Sequence, residues 1–177
     1  MRSTENGDGC RAGDLSSDRG VHSREAGEWI IAQLVAAYNN RGVALRPNGE
    51  LDRAIEDYDQ AIRLMPDYYV AINNRGVALM ARGELDLAIA DFDRAIQLKP
   101  DYLAALGGRA VAFGRKGVLD RAIVDLDVII KADPKNVAVI YERGKTRAKS
   151  GDKVGAESDF HRAESLGFDS DSSKRPI

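Results

Sequence analysis

The sequence predicts an all-α solenoid of four tandem helix–turn–helix units, and three observations predict it. The string NNRGVAL at Asn39–Leu45 returns unchanged at Asn73–Leu79, a spacing of 34. Laid against itself at that spacing, the chain shows further columns: Arg41, Arg75, Arg109 and Arg143; Gly49, Gly83, Gly117 and Gly151; Ala54, Ala88, Ala122 and Ala156; Asp57, Asp91, Asp125 and Asp159; and Pro66, Pro100 and Pro134, with Phe168 in the fourth unit. Apolar residues recur at three- and four-residue intervals twice in each unit, and nowhere with the alternation a strand requires. A unit of this size cannot bury its apolar face alone, so units sharing one spacing must stack.

In chain order, residues 1–23 are polar, with Gly7, Gly9, Gly13 and Gly20 and no periodicity, which predicts a disordered leader. The folded domain is expected over 24–170. From Arg24 the pattern turns helical, and Trp29, Ile30, Ile31 and Leu34 carry the first helix upstream of the repeat. Trp29 is expected to cover the open apolar end of the first unit. In that unit, 35–68, Pro47 should end the first helix about a turn early. In the second, 69–102, Val70, Asn73, Val77 and Met80 mark one helix and Leu85, Ala88, Ile89, Phe92, Ala95 and Ile96 the next. Gly83 ends the first where a left-handed residue is needed, and proline ends the second. The third unit, 103–136, places Gly107, Gly108 and Gly114 in its first helix, each costing about 1 kcal/mol against alanine, and is expected to be the softest. In the fourth, 137–170, the last helix is apolar only at Ala156, Phe160, Ala163 and Leu166, so it is expected to close the stack itself. A short disordered tail, 171–177, follows.

These columns resemble the tetratricopeptide repeat. Position 8 of the units is Gly42, Gly76, Ala110 and Gly144, position 20 is the alanine column, and position 24 is Tyr58, Phe92, Leu126 and Phe160. In the family, small residues at 8 and 20 let two helices approach and the large residue at 24 fills the gap to the next unit. Departures occur at position 4 (Tyr38, Ile72, Leu106, Ile140), at position 11 (Leu45, Leu79, Phe113, Arg147) and at position 27, where Ile129 replaces the usual alanine. The resemblance implies a protein-binding solenoid with the first helices lining a concave groove.

Composition excludes several other classes. A net charge of −2 gives no whole-molecule field for nucleic acid, and no apolar run reaches the roughly 20 residues of a membrane span. The N-terminal stretch lacks the apolar core of a secretory signal, and GDGC has no such segment before Cys10 for a lipid anchor, so the expected location is cytoplasmic. Neither His22 nor His161 has metal-ligand spacing to a cysteine or carboxylate, and Cys10 lacks a histidine in any ordered region. No catalytic, cofactor-binding or metal-binding residue is expected, and the chain is read as a non-enzyme without cofactor.

Two residue sets remain. The arginine column at position 7 and the aspartate column at position 23 suggest four structural pairs: Arg41 with Asp57, Arg75 with Asp91, Arg109 with Asp125 and Arg143 with Asp159. Positions 1–14 of the units hold eleven Lys/Arg against one acidic residue, Glu142, whereas positions 15–34 carry an acidic excess of eleven. Helix dipoles and the paired column account for much of the basic excess, leaving Lys145, Arg147 and Lys149. By resemblance the groove contacts fall at Ala36, Asn39, Val43 and Arg46; Val70, Asn73, Val77 and Met80; Ala104, Gly107, Val111 and Arg115; Ala138, Tyr141, Lys145 and Lys149. Of these, Asn39 and Asn73 are expected to hydrogen-bond an extended peptide over a floor of Val43, Val77 and Met80, with Tyr141, Lys145 and Lys149 beyond. Members that hold chaperone C-termini need lysines, arginine and asparagines where this chain has Asn39, Val43, Asn74, Ala104 and Gly108, and only Asn74 matches. The expected function is an adaptor for a protein or peptide partner, acting as a monomer on neither nucleic acid nor membrane. The alternative is a self-associating solenoid, a homodimer through its terminal faces.

Overall fold

The computed structural model describes residues 15–168, and the expected tail and the first part of the expected leader lie outside them. Eight α-helices follow one another: α1 Leu15–Leu45, α2 Leu51–Leu64, α3 Tyr69–Arg82, α4 Leu85–Leu98, α5 Leu103–Lys116, α6 Leu119–Ala132, α7 Val137–Ser150 and α8 Lys153–Ser165. No strand occurs among the described residues. Each helix packs on its immediate neighbours, and α1, α3 and α5 also touch side by side. The first helices are therefore the more closely spaced row, which makes theirs the concave face.

The boundaries follow local chemistry. Gly83 adopts φ 94°, its N–H bonds the Met80 carbonyl, and the Glu84 N–H reaches back to Leu79 at 2.9 Å, which closes α3. Gly117 and Gly151 close α5 and α7 in the same way. In the first unit Pro47 changes the ending: α1 stops at Leu45 and a 3-10 turn, Arg46–Asn48, takes its last three positions. The prolines that end the second helices leave free carbonyls, and Arg94 and Arg162 donate to those of Pro66 and Pro134.

Position 8 touches position 24 in three of the four hairpins. A Cβ on Gly42 would sit 2.7 Å from the Tyr58 ring, one on Gly76 3.0 Å from Phe92, and one on Gly144 2.7 Å from Phe160. The third unit carries the matched exception, Ala110 opposite the slimmer Leu126. Phe92 also reaches the next unit, where a Cβ on Gly108 would meet it at 2.6 Å. Gly108 is thus required by packing despite its helix propensity, while nothing lies within 4 Å of a Cβ at Gly114. Alanine is expected to act oppositely at the two sites. Gly114→Ala should stabilise by about 0.5–1 kcal/mol, and Gly108→Ala should destabilise by about 1–3 kcal/mol through overpacking. Urea unfolding of both variants checks the signs; stabilisation at both would show that Phe92 yields freely.

Two expectations are corrected at the N-terminus. Helix α1 begins at Leu15, so 15–23 are helical rather than part of a disordered leader. Adding residues to an established helix is far easier than nucleating one, and Gly20 and Gly27 do not suffice to stop it. Trp29 does not cover the first unit: it is 64% exposed, and Ile30, Ile31 and Leu34 are exposed with it. From residue 25 onward Val35 is the first buried residue of α1 among those whose side chains are described.

At the other end Phe168 folds back and stacks on Tyr141 with ring centroids 4.1 Å apart, and Tyr141 leans on Phe160 at 5.3 Å. One core runs from Val35 to Ala112, and Ile130, Ile140 and Ala163 form a separate smaller cluster. The break falls within the third unit, between α5 and α6.

Candidate functional site

The four arginine–aspartate pairs form as the matched columns require. In each, Nε and Nη2 of the arginine grip both carboxylate oxygens of the aspartate at 2.5–2.9 Å, as in Arg75 with Asp91 and Arg109 with Asp125. The aspartates are buried. A further bond appears at each junction: Nη1 of Arg75, Arg109 and Arg143 reaches Asp59, Asp93 and Asp127 of the preceding unit, each at 2.6 Å. Aspartates two residues apart diverge on a helix, so Asp57 turns to its own hairpin and Asp59 to the next. The hydrogen bond to Asp91, aided by Asp59 and opposed by burial, raises Arg75 above the ordinary arginine pKa. Arg109 is raised likewise by Asp125 and then Asp93.

These and similar bonds consume most of the basic charge on the concave row. Arg82 pairs with Asp52 and Glu84, Lys116 with Asp86, Arg147 with Asp159 and Asp152, and Lys145 with Glu142. Of the eleven, Arg46, Arg115 and Lys149 have no carboxylate partner among the described residues. Arg115 donates only to the Met80 carbonyl at 3.2 Å.

The residues expected to meet a ligand are not equally placed to do so. Asn39 and Asn73 are each 5% exposed, and their amides are spent on neighbouring asparagines: Asn74 donates to Asn39 at 2.9 Å, Asn39 to Asn40 and Asn73 to Asn74. The Oδ1 of Asn73 is buried without a partner. Both side chains are thus almost wholly buried, with most of their hydrogen bonds made inside the asparagine cluster. Tyr141 is held by Phe160 and Phe168. Val43 stays exposed on the concave side, and Val77 and Met80 are half-buried against the core.

Where α5 and α7 part, an open cavity of about 410 Å³ forms on this face. Gly107, Val111 and Gly114 form one wall, Leu126 and Ile129 the floor, and Val139, Glu142, Thr146 and Lys149 the other wall, with Arg115 at the rim. Its origin is a paired exchange. Ile129, where the other units have alanine, pushes its Cδ1 to within 3.8 Å of a Cβ position at Gly107, where the other units have Asn39, Asn73 and Tyr141. Two of the three unpaired cations thus border an apolar hollow.

The tetratricopeptide-repeat family model matches residues 35–68 and 69–102, and the third and fourth units repeat that hairpin in the same register. The first two units are tetratricopeptide repeats. No relative was found among curated protein sequences. Among solved structures, MamA residues 41 to the end from Desulfovibrio magneticus RS-1 is similar in fold, with a TM-score of 0.70 at 18% identity over 89% of this chain and 93% of that one. The second tetratricopeptide domain of human RPAP3, solved in complex with the HSP70 peptide SGPTIEEVD, gives 0.62 at 25% identity over 66% and 98%. The first such domain of Spaghetti (RPAP3), bound to the HSP90 peptide SRMEEVD, gives 0.65 at 23% over 67% and 94%. No helix among the described residues of the repeat protein is long and apolar enough to cross a membrane.

Proposed function

We propose that this repeat protein is a non-catalytic adaptor whose concave face holds a peptide or helical segment of a partner protein. The observation that carries the reading is the hollow between α5 and α7. It offers an apolar floor of Leu126 and Ile129 about the size of one large side chain and its neighbours, with Lys149 and Arg115 at its edge. An apolar anchor residue flanked by a carboxylate is the chemistry that fits. The RPAP3 domains bind acidic chaperone peptides, but the residues here do not reproduce the carboxylate-holding set, and Asn74, the one match, is committed to Asn39. The partner is therefore a different acidic-flanked segment.

Val111 is exposed and Lys149 has no carboxylate partner among the described residues, so Val111→Asp with Lys149→Glu should leave the fold intact while spoiling both the apolar wall and the charge. Partners captured from a lysate of the source organism on the immobilised chain are expected to include proteins missing from the double variant. Identical recovery on both, with matched melting curves, would remove the groove as the binding surface.

A further inference from the structure

Every junction between units uses one pattern. The second helix of a unit presents isoleucine, a large apolar residue, aspartate and isoleucine: Ile55, Tyr58, Asp59 and Ile62 in α2; Ile89, Phe92, Asp93 and Ile96 in α4; Ile123, Leu126, Asp127 and Ile130 in α6. The following first helix receives it with two apolar residues and the arginine: Ala71, Ile72 and Arg75; Ala105, Leu106 and Arg109; Val139, Ile140 and Arg143. Ala71, Ile72, Ala105 and Ile140 are wholly buried.

Helix α1 carries the same receiving face with no helix among the described residues packed on it. Leu34, Ala37, Tyr38 and Arg41 line an open depression of about 280 Å³, and exposed Ile30 and Ile31 continue the stripe upstream. Arg41 holds Asp57 with Nε and Nη2, but its Nη1 has no carboxylate among the described residues. Its side chain is 62% exposed, against 23%, 22% and 13% for Arg75, Arg109 and Arg143. Both halves of the junction chemistry, an apolar seat and a spare guanidinium donor, are present and unfilled.

We propose that this face docks an amphipathic helix of a partner protein, one carrying an aspartate beside a large apolar residue with isoleucine-like residues three or four positions to either side. The charge pattern argues against a second copy as occupant. At the same register α8 offers Glu157, Phe160, His161 and Glu164, so two glutamates stand where isoleucines pack and a histidine where the aspartate pairs. Packing α1 on α1 brings Arg41 no carboxylate from the stripe Ile30, Ile31, Leu34, Ala37, Tyr38 and Arg41. The surface is separate from the groove, so the two readings fail independently.

The probe is a helix-stapled, fluorescently labelled peptide with the α4 sequence, LDLAIADFDRAIQL, titrated against the full chain by anisotropy. Saturable binding is expected, weakened about tenfold or more by Leu34→Asp, which alters an exposed residue, and unaffected by Val43→Asp in the groove. Asp93→Asn within the peptide should weaken binding about three- to tenfold and reads Arg41 without altering it. Absence of binding, or binding indifferent to Leu34→Asp, would overturn the proposal. So would a dimer in sedimentation that Leu34→Asp dissolves while the peptide fails to bind, since that result assigns the face to a second copy.

Discussion

Replacing Phe92 by alanine is expected to cost about 3–5 kcal/mol, the range for a fully buried aromatic ring, and to lower the melting temperature by roughly 10 °C. The expectation rests on where the ring sits. Phe92 has no exposed surface, and it fills space against two backbones at once, Gly76 in its own hairpin and Gly108 in the next. Because both neighbours are glycines, no side chain can swing into the hole, so the site collapses poorly and the cavity term is large. The loss should also be located. In a stack whose units touch only their neighbours, weakening the second-to-third junction uncouples the ends, so hydrogen exchange should accelerate in α3, α4 and α5 before α7 and α8. Phe160, the same register in the fourth unit, offers the control: it is partly exposed, with no further unit packed on it among the described residues, and its alanine variant should lose less. Equal losses at Phe92 and Phe160 would mean that the ring serves its own hairpin only.

Much of this fold was legible because the repeat states each relation four times. A glycine opposite an aromatic at position 24, or an arginine with an aspartate 16 residues on, need not be inferred from one instance. The cross-junction bond was also written in the sequence, as Asp59, Asp93 and Asp127, but it joins residues of adjacent units and disappears when each unit is read alone. Groove residues were less legible for a geometric reason. Asn39 and Asn73 are each read alone as polar helix positions; in the structure Asn74 of α3 donates to Asn39 of α1, a bond between units that no single unit displays. Lys145 is answered by Glu142 three residues earlier, a spacing visible in advance. The cavity had a weaker signal, an isoleucine and a glycine 22 positions apart, both departing from their columns. Nothing local to either predicts that they meet.

The second large effect is expected along the arginine ladder, as an order of losses. Asp91→Ala should destabilise by about 2–3 kcal/mol, less than the roughly 3–5 kcal/mol of a fully buried broken pair, because Arg75 is partly solvated and keeps Asp59. Asp125→Ala should match it, since Arg109 keeps Asp93 in the same geometry. Asp57→Ala should lose less, because the Arg41 side chain is already 62% exposed and turns its freed guanidinium to water. Asp59→Ala, removing a carboxylate that is already 43% exposed, should cost only about 0.5–1 kcal/mol. Urea unfolding of the four variants gives the order, and added salt should weaken the contribution of Asp59 more than that of Asp91, whose carboxylate is shielded from solvent. If Asp59 proved as costly as Asp91, the junction bonds rather than the hairpin bonds would be holding the stack. The Arg41 face would then gain correspondingly from a partner's carboxylate, because it is the one junction arginine in the described structure that lacks the cross-unit bond.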